Sequence, residues 1–108
     1  MAEEPQKYDV FQAIADPTRR KLLELLADQE LPISTISAPF PMSRTAVTKH
    51  LHVLESAGLV TSRKVGREKL YRLEARPLQE LQTWLTFYEQ YWDDKLIYLK
   101  DLIEKEQT

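Results

Sequence analysis

Apolar side chains recur along this chain at two periods, and the switch between them lays out its elements. Val10, Phe11, Ile14 and Ala15 fall at helical spacing and predict a short first helix over Tyr8 to Ala15. Asp16-Pro17-Thr18 then has the form of an N-cap followed by proline at the first helical position. The helix it opens carries Leu22, Leu23, Leu25 and Leu26 and is predicted to end near Asp28. Ile33 to Ala38 makes a brief third helix, stopped by Pro39 and Pro41 because proline lacks the amide a helix needs. Ser43 caps a fourth, with Met42 and Val47 placed as a hydrophobic staple and Gly58 as its stop. The period then falls to two. Leu59 to Val65 and Glu68 to Leu73 are β-prone runs, and the Gly66-Arg67 loop between them suits a type II′ hairpin. Pro77 opens a last helix, predicted to reach about Glu104. At ~1.5 Å per residue it is roughly 40 Å long, more than so small a core can cover. The fold class is therefore mainly α with a small β-hairpin, in one domain over residues 1–108, with residues 1–6 as a flexible tail.

Composition narrows the function by exclusion. The 108 residues include no cysteine, which removes disulfides, thiolate metal sites and cysteine nucleophiles. No apolar run approaches the ~18 residues of a membrane span. The acidic start, Met1-Ala2-Glu3-Glu4-Pro5, lacks the regions of a secretory signal, so a cytoplasmic location is expected. Two glycines leave no phosphate-cradling loop, and no nucleophile elbow or metalloprotease helix is present, so no enzyme and no cofactor are expected.

The net charge of −2 first argues against a polyanionic partner. Its distribution reverses that. Between Ser43 and Arg72 stand seven basic residues and two acidic ones, a net of +5, while the remainder of the chain carries −7. Phosphate binding needs a local positive surface, not a positive total.

On the fourth helix, Val47, Leu51 and Leu54 form a buried stripe widened by Ala46, His50 and Ala57. Arg44, Thr45, Thr48, Lys49 and His52 occupy the opposite face, behind the capping Ser43. Arginine can bond guanine bidentately, threonine can meet a base edge or a thymine methyl, and lysine neutralises phosphate. An ordinary amphipathic helix with a solvated basic face is the plain alternative. What tips the balance is context, a tight turn before the helix and a basic hairpin after it. That hairpin places Arg63, Lys64, Arg67 and Lys69 around its tip, where a wing would reach duplex backbone.

Several segments in order resemble the ArsR-type winged helix-turn-helix repressors. They are Asp16-Pro17-Thr18-Arg19-Arg20 with its leucine run, Ala38 to Arg44, Thr48 to Val60, Gly66 to Leu73, and Trp84-Leu85 with Tyr91-Trp92. The resemblance spans nearly the whole chain. It implies a homodimeric repressor on a pseudo-palindromic operator of double-stranded DNA, released by some signal. It places the recognition helix at Ser43 to Ala57 and the wing at Val60 to Leu73, and makes His50 structural. Metal-sensing members use cysteine pairs, or histidine with carboxylates on the terminal helices. Here only His50 and His52 are available, so the likeness is to the non-metal branch and no metal is expected.

The last helix adds the assembly. Leu78, Leu81, Leu85, Tyr88, Trp92, Leu96, Leu99 and Ile103 form one apolar stripe, and Trp84, Phe87, Tyr91, Tyr98 and Leu102 a second. One stripe can cover the chain's own core and the second needs another surface. Residues 77–104 are accordingly read as a dimerisation helix, with Val10, Phe11, Leu81, Trp84, Tyr88, Tyr91 and Trp92 at the interface. An aromatic pocket there for an unidentified small-molecule effector is the competing reading. In function, the alternative is a winged-helix module that binds protein and not DNA. The +5 segment weighs against it.

Overall fold

The structure, a computed structural model, describes residues 8–106, and the tail expected over residues 1–6 lies outside them. The chain divides into two compact units, one running to Leu78 and one from Gln79 onward.

The first unit opens on α1 (Val10–Ala13). Asp9 accepts the Gln12 N–H at 2.7 Å while the Gln12 side chain accepts the Asp9 N–H at 3.0 Å, a reciprocal capping box. The helix is shorter than the Tyr8 to Ala15 expected, and carbonyls at its end are taken by side chains from the next helix. Arg19 donates to the carbonyls of Ala13 (2.6 Å) and Gln12 (3.1 Å), and Arg20 to that of Ile14 (2.7 Å). Helix α2 (Pro17–Leu25) starts on Asp16, which accepts the Arg19 N–H at 3.1 Å. It stops at Leu25 and not near Asp28, where the Gln29 side-chain amide closes the Leu25 carbonyl at 3.0 Å.

Strand β1 (Leu31–Pro32) has no counterpart in the sequence pattern. It leads into α3 (Ile33–Ser37), then a turn and α4 (Arg44–Ser56). Helix α4 ends in a Schellman motif: Gly58 N–H meets the Glu55 carbonyl and Leu59 N–H the Leu54 carbonyl, both at 2.9 Å. Gly58 has φ +77°, which a side chain would strain. Strands β2 (Val60–Val65) and β3 (Glu68–Leu73) follow, paired from Val60↔Leu73 to Val65↔Glu68. At the turn Gly66 has φ +62°, and among the described residues no non-glycine has a positive φ. That is the type II′ pattern expected. The sheet order is β1-β3-β2, with Leu31↔Tyr71 and Pro32↔Leu70 joining β1.

Leu22, Leu26, Ile36, Leu51, Leu54 and Leu59 are fully buried and bring α2, α3, α4 and the base of the sheet onto one core. Each contributes about 1.5–3 kcal/mol relative to exposure. This is the winged helix-turn-helix arrangement, mainly helical, with a third strand added to the expected hairpin.

The described part of the second unit belongs to a single helix, α5 (Leu78–Glu106), 29 residues long and about 43 Å at the usual rise. Its large apolar residues from Trp84 to Ile103, Tyr88 apart, are 42% (Leu102) to 78% (Phe87) exposed. Leu81 and Tyr88 of the first stripe are half-buried.

Asp16 yields a stability prediction. Burial raises its carboxyl pKa, but the Arg19 N–H and the nearby His50 and Arg19 side chains outweigh that and hold it below the ordinary value. Asp16→Ala should cost about 1 kcal/mol by loss of the cap, read as a lower midpoint in urea. A depressed folded pKa contributes stability above the unfolded pKa, lost as pH falls through the folded one. Asp16→Asn keeps a capping oxygen and should flatten that acid limb.

Candidate nucleic-acid interface

The roll of α4 about its axis is set from inside. Val47, Leu51 and Leu54 are all 0% exposed, which turns the opposite positions outward. Arg44, Thr45, Thr48, Lys49 and His52 are exposed there and together line one shallow depression. Ser43 belongs to the same end of the helix, but its Oγ is engaged as the cap, accepting the Ala46 N–H at 3.1 Å. The Thr48 hydroxyl donates to the Arg44 carbonyl at 2.9 Å, which leaves its methyl group for contact.

His50 sits off this face and half-buried. Its Nδ1 lies 3.4 Å from Arg19 Nη1 and 4.0 Å from Asp16 Oδ2. The Arg19 guanidinium thus touches the end of α1 and the middle of α4 at once. No local pattern marked Arg19 for this role, since its partners lie up to 31 positions away.

The wing arranges its charges differently from one another. Lys64 and Lys69 stand directly opposite across the β2–β3 pair. Like charges in that position destabilise a sheet unless something negative lies against them. Lys69 Nζ also stands 5.3 Å from the centroid of the Tyr71 ring. Arg67 is exposed beside Gly66, where an added Cβ would meet nothing within 4 Å. Arg63, expected with them around the tip, has a partner within the chain. Its Nε and Nη2 donate three hydrogen bonds of 2.7–3.1 Å to the Glu30 carboxylate. Those bonds from Arg63 hold the Glu30 carboxyl below the usual range, and Glu30 raises the Arg63 guanidinium in turn. Glu30 too was invisible in the sequence, 33 positions from its partner.

A helix-turn-helix domain model matches residues 14–63. Over 96 residues the chain is 38% identical to the HTH-type transcriptional regulator Rv2034 of Mycobacterium tuberculosis, covering 89% of this chain and 87% of that protein. It is 34% identical over 77 residues to the transcriptional repressor SdpR of Bacillus subtilis, covering 71% of this chain and 86% of that one. The structure of an ArsR-like transcriptional regulator from a Rhodococcus species superposes with a TM-score of 0.69 at 36% identity, covering 89% of this chain and 88% of that one. The chain belongs to the ArsR family.

As an ArsR-family winged helix-turn-helix protein it is a DNA-binding transcriptional regulator, and its relatives are regulators and not enzymes. Among the described residues no helix is long and apolar enough to cross a membrane. The residues expected at an interface between ArsR-family copies fall into two groups. Val10 is only 3% exposed within the single chain, and Phe11 is half-buried. On α5, Leu81 and Tyr88 are half-buried, while Trp84, Tyr91 and Trp92 are 50%, 52% and 62% exposed. Edge-to-face contacts join Trp84 to Tyr88 and Tyr91 to Trp92, with ring centroids 5.2 and 5.9 Å apart. Each supports its neighbour's orientation.

Proposed function

We propose that the chain is a repressor that binds a pseudo-palindromic operator as a homodimer, one α4 in each of two successive major grooves. The observation that carries this reading is the shared depression lined by Arg44, Thr45, Thr48, Lys49 and His52. Arg44 is at the helix N-terminus, where helix-turn-helix proteins touch base edges. Thr48 offers its methyl to thymine, and Lys49 and His52 meet backbone or flanking bases. Lys64, Arg67 and Lys69 on the wing meet phosphate, which would offset the repulsion between the opposed lysines. Dimerisation is supported by the exposed aromatic face of α5, whose residue types are those of interface anchors. Repression as the sign of regulation is supported by the similarity to SdpR. Such a protein works in the cytoplasm, in keeping with a chain free of cysteine.

The roles separate in one titration. Arg44→Ala should lower the preference for selected over random duplex by about 1–3 kcal/mol, whereas Arg67→Ala should weaken both alike and reduce the salt slope by about 1. Fluorescence anisotropy across a salt series reads both. Equal losses on both duplexes for both variants would sink the assignment. A stable dimer that binds no duplex at low salt would favour the protein-binding module.

A further inference from the structure

Strand β2 is fastened at two adjacent positions. Ser62 Oγ donates to Glu55 of α4 at 3.4 Å, and Arg63 is clamped by Glu30 through three bonds of 2.7–3.1 Å. The second tie has an unusual reach. Arg63 and Pro32 both pair with Leu70 of β3, from opposite sides. Glu30 immediately precedes β1, so the bridge crosses β3 and staples the two outer strands together, over roughly 10 Å at two interstrand spacings. Its Arg63 end lies at the last level where three strands are present, and from there the bridge runs diagonally back toward the base of the sheet, because Glu30 precedes Leu31, the partner of Tyr71. β1 pairs only with Leu70 and Tyr71, so Lys64 to Lys69 continue as a two-stranded ribbon.

Isolated two-stranded ribbons are marginal in water. A single exposed ion pair adds little to global stability. A bidentate carboxylate–guanidinium pair, however, fixes geometry in two directions. Placed where the ribbon leaves the sheet, it fixes the ribbon's direction.

We infer that Glu30 is a positioning residue for the wing: by holding Arg63 across β3 it sets where Lys64, Arg67 and Lys69 meet DNA. This rests on the DNA-contacting role proposed above for the wing. It gives Arg63 a structural task in place of a phosphate contact, and it makes an acidic residue favourable to binding a polyanion.

That sign is the test. On electrostatics alone, Glu30→Gln removes a negative charge and releases a guanidinium, so affinity for duplex should rise. Under the positioning role it should fall, by about fivefold, within the range seen for coupled neighbours. The probe is a labelled duplex selected from a random pool by the unaltered chain, followed by anisotropy at fixed salt well below each variant's melting point. Arg63→Glu should weaken binding further. The double variant Glu30→Arg with Arg63→Glu keeps the net charge of the parent and should return affinity to within about twofold, since the same pair is re-formed in reverse. Equal or tighter binding by Glu30→Gln overturns the inference, as does a double variant no better than Arg63→Glu alone. If the unaltered chain selects no duplex, the DNA-binding role of the wing falls first, and this inference with it.

Discussion

Trp92→Ala should convert the protein from dimer to monomer at low micromolar concentration, as read by sedimentation equilibrium. Trp92 is 62% exposed in the single chain, so its ring has little to lose within the monomer and much to lose at an interface. A buried tryptophan removes 150–250 Å² from water and is the residue type most often found at interface hot spots. Truncating such an anchor costs at least about 2 kcal/mol, or roughly thirtyfold in the dimer constant. DNA binding should fall further. A dimer engages its second half-site at high effective concentration, and losing that linkage lowers operator affinity by about a hundredfold or more. If the variant remains dimeric, the copies meet elsewhere.

Leu51→Ala should act on the other unit and in the other way. Leu51 is 0% exposed at the centre of α4, and its truncation should cost about 2–5 kcal/mol in lost transfer energy and residual cavity. Against a typical net stability of roughly 5–15 kcal/mol, that is a large share. Thermal unfolding followed by circular dichroism should show it, with roughly 4–8 °C lost per kcal/mol in a domain near this size. Lys49→Ala, two residues earlier and outward, should stay within about 0.5 kcal/mol of the parent. A small effect from Leu51→Ala would mean that α4 is not seated on the core as described.

The parts of this fold legible from sequence are those that local chemistry decides. Ser43 caps α4, Gly58 ends it, and Gly66 turns the hairpin, each through a single residue whose conformational preference leaves few alternatives. The outward set on α4 was equally legible, because a helix with one buried stripe has only one opposite face. What escaped was decided at a distance. β1 is two residues long, too short for any period, and forms only because Tyr71 and Leu70 offer it a partner. Arg19 reads locally as one more cation of a leucine-rich helix, yet its guanidinium closes α1 and touches His50. Arg63 and Glu30 carry no mark of each other in the sequence. A charge count near the wing tip therefore grouped Arg63 with Lys64, Arg67 and Lys69, although its hydrogen bonds run the opposite way along the sheet. On α5 the two stripes were legible as stripes, but not which surface meets them.

Pro32 has a consequence for how the protein behaves when concentrated. It lies in β1, at one edge of the sheet, and having no N–H it cannot offer that edge a full ladder of donors for another strand. The other edge, β2, carries Lys64, whose charge repels an approaching copy of the same strand. Where three strands pair, neither edge of the sheet thus favours growth by strand addition. Crowded copies therefore lack, at that level of the sheet, the open strand edge that templates fibres.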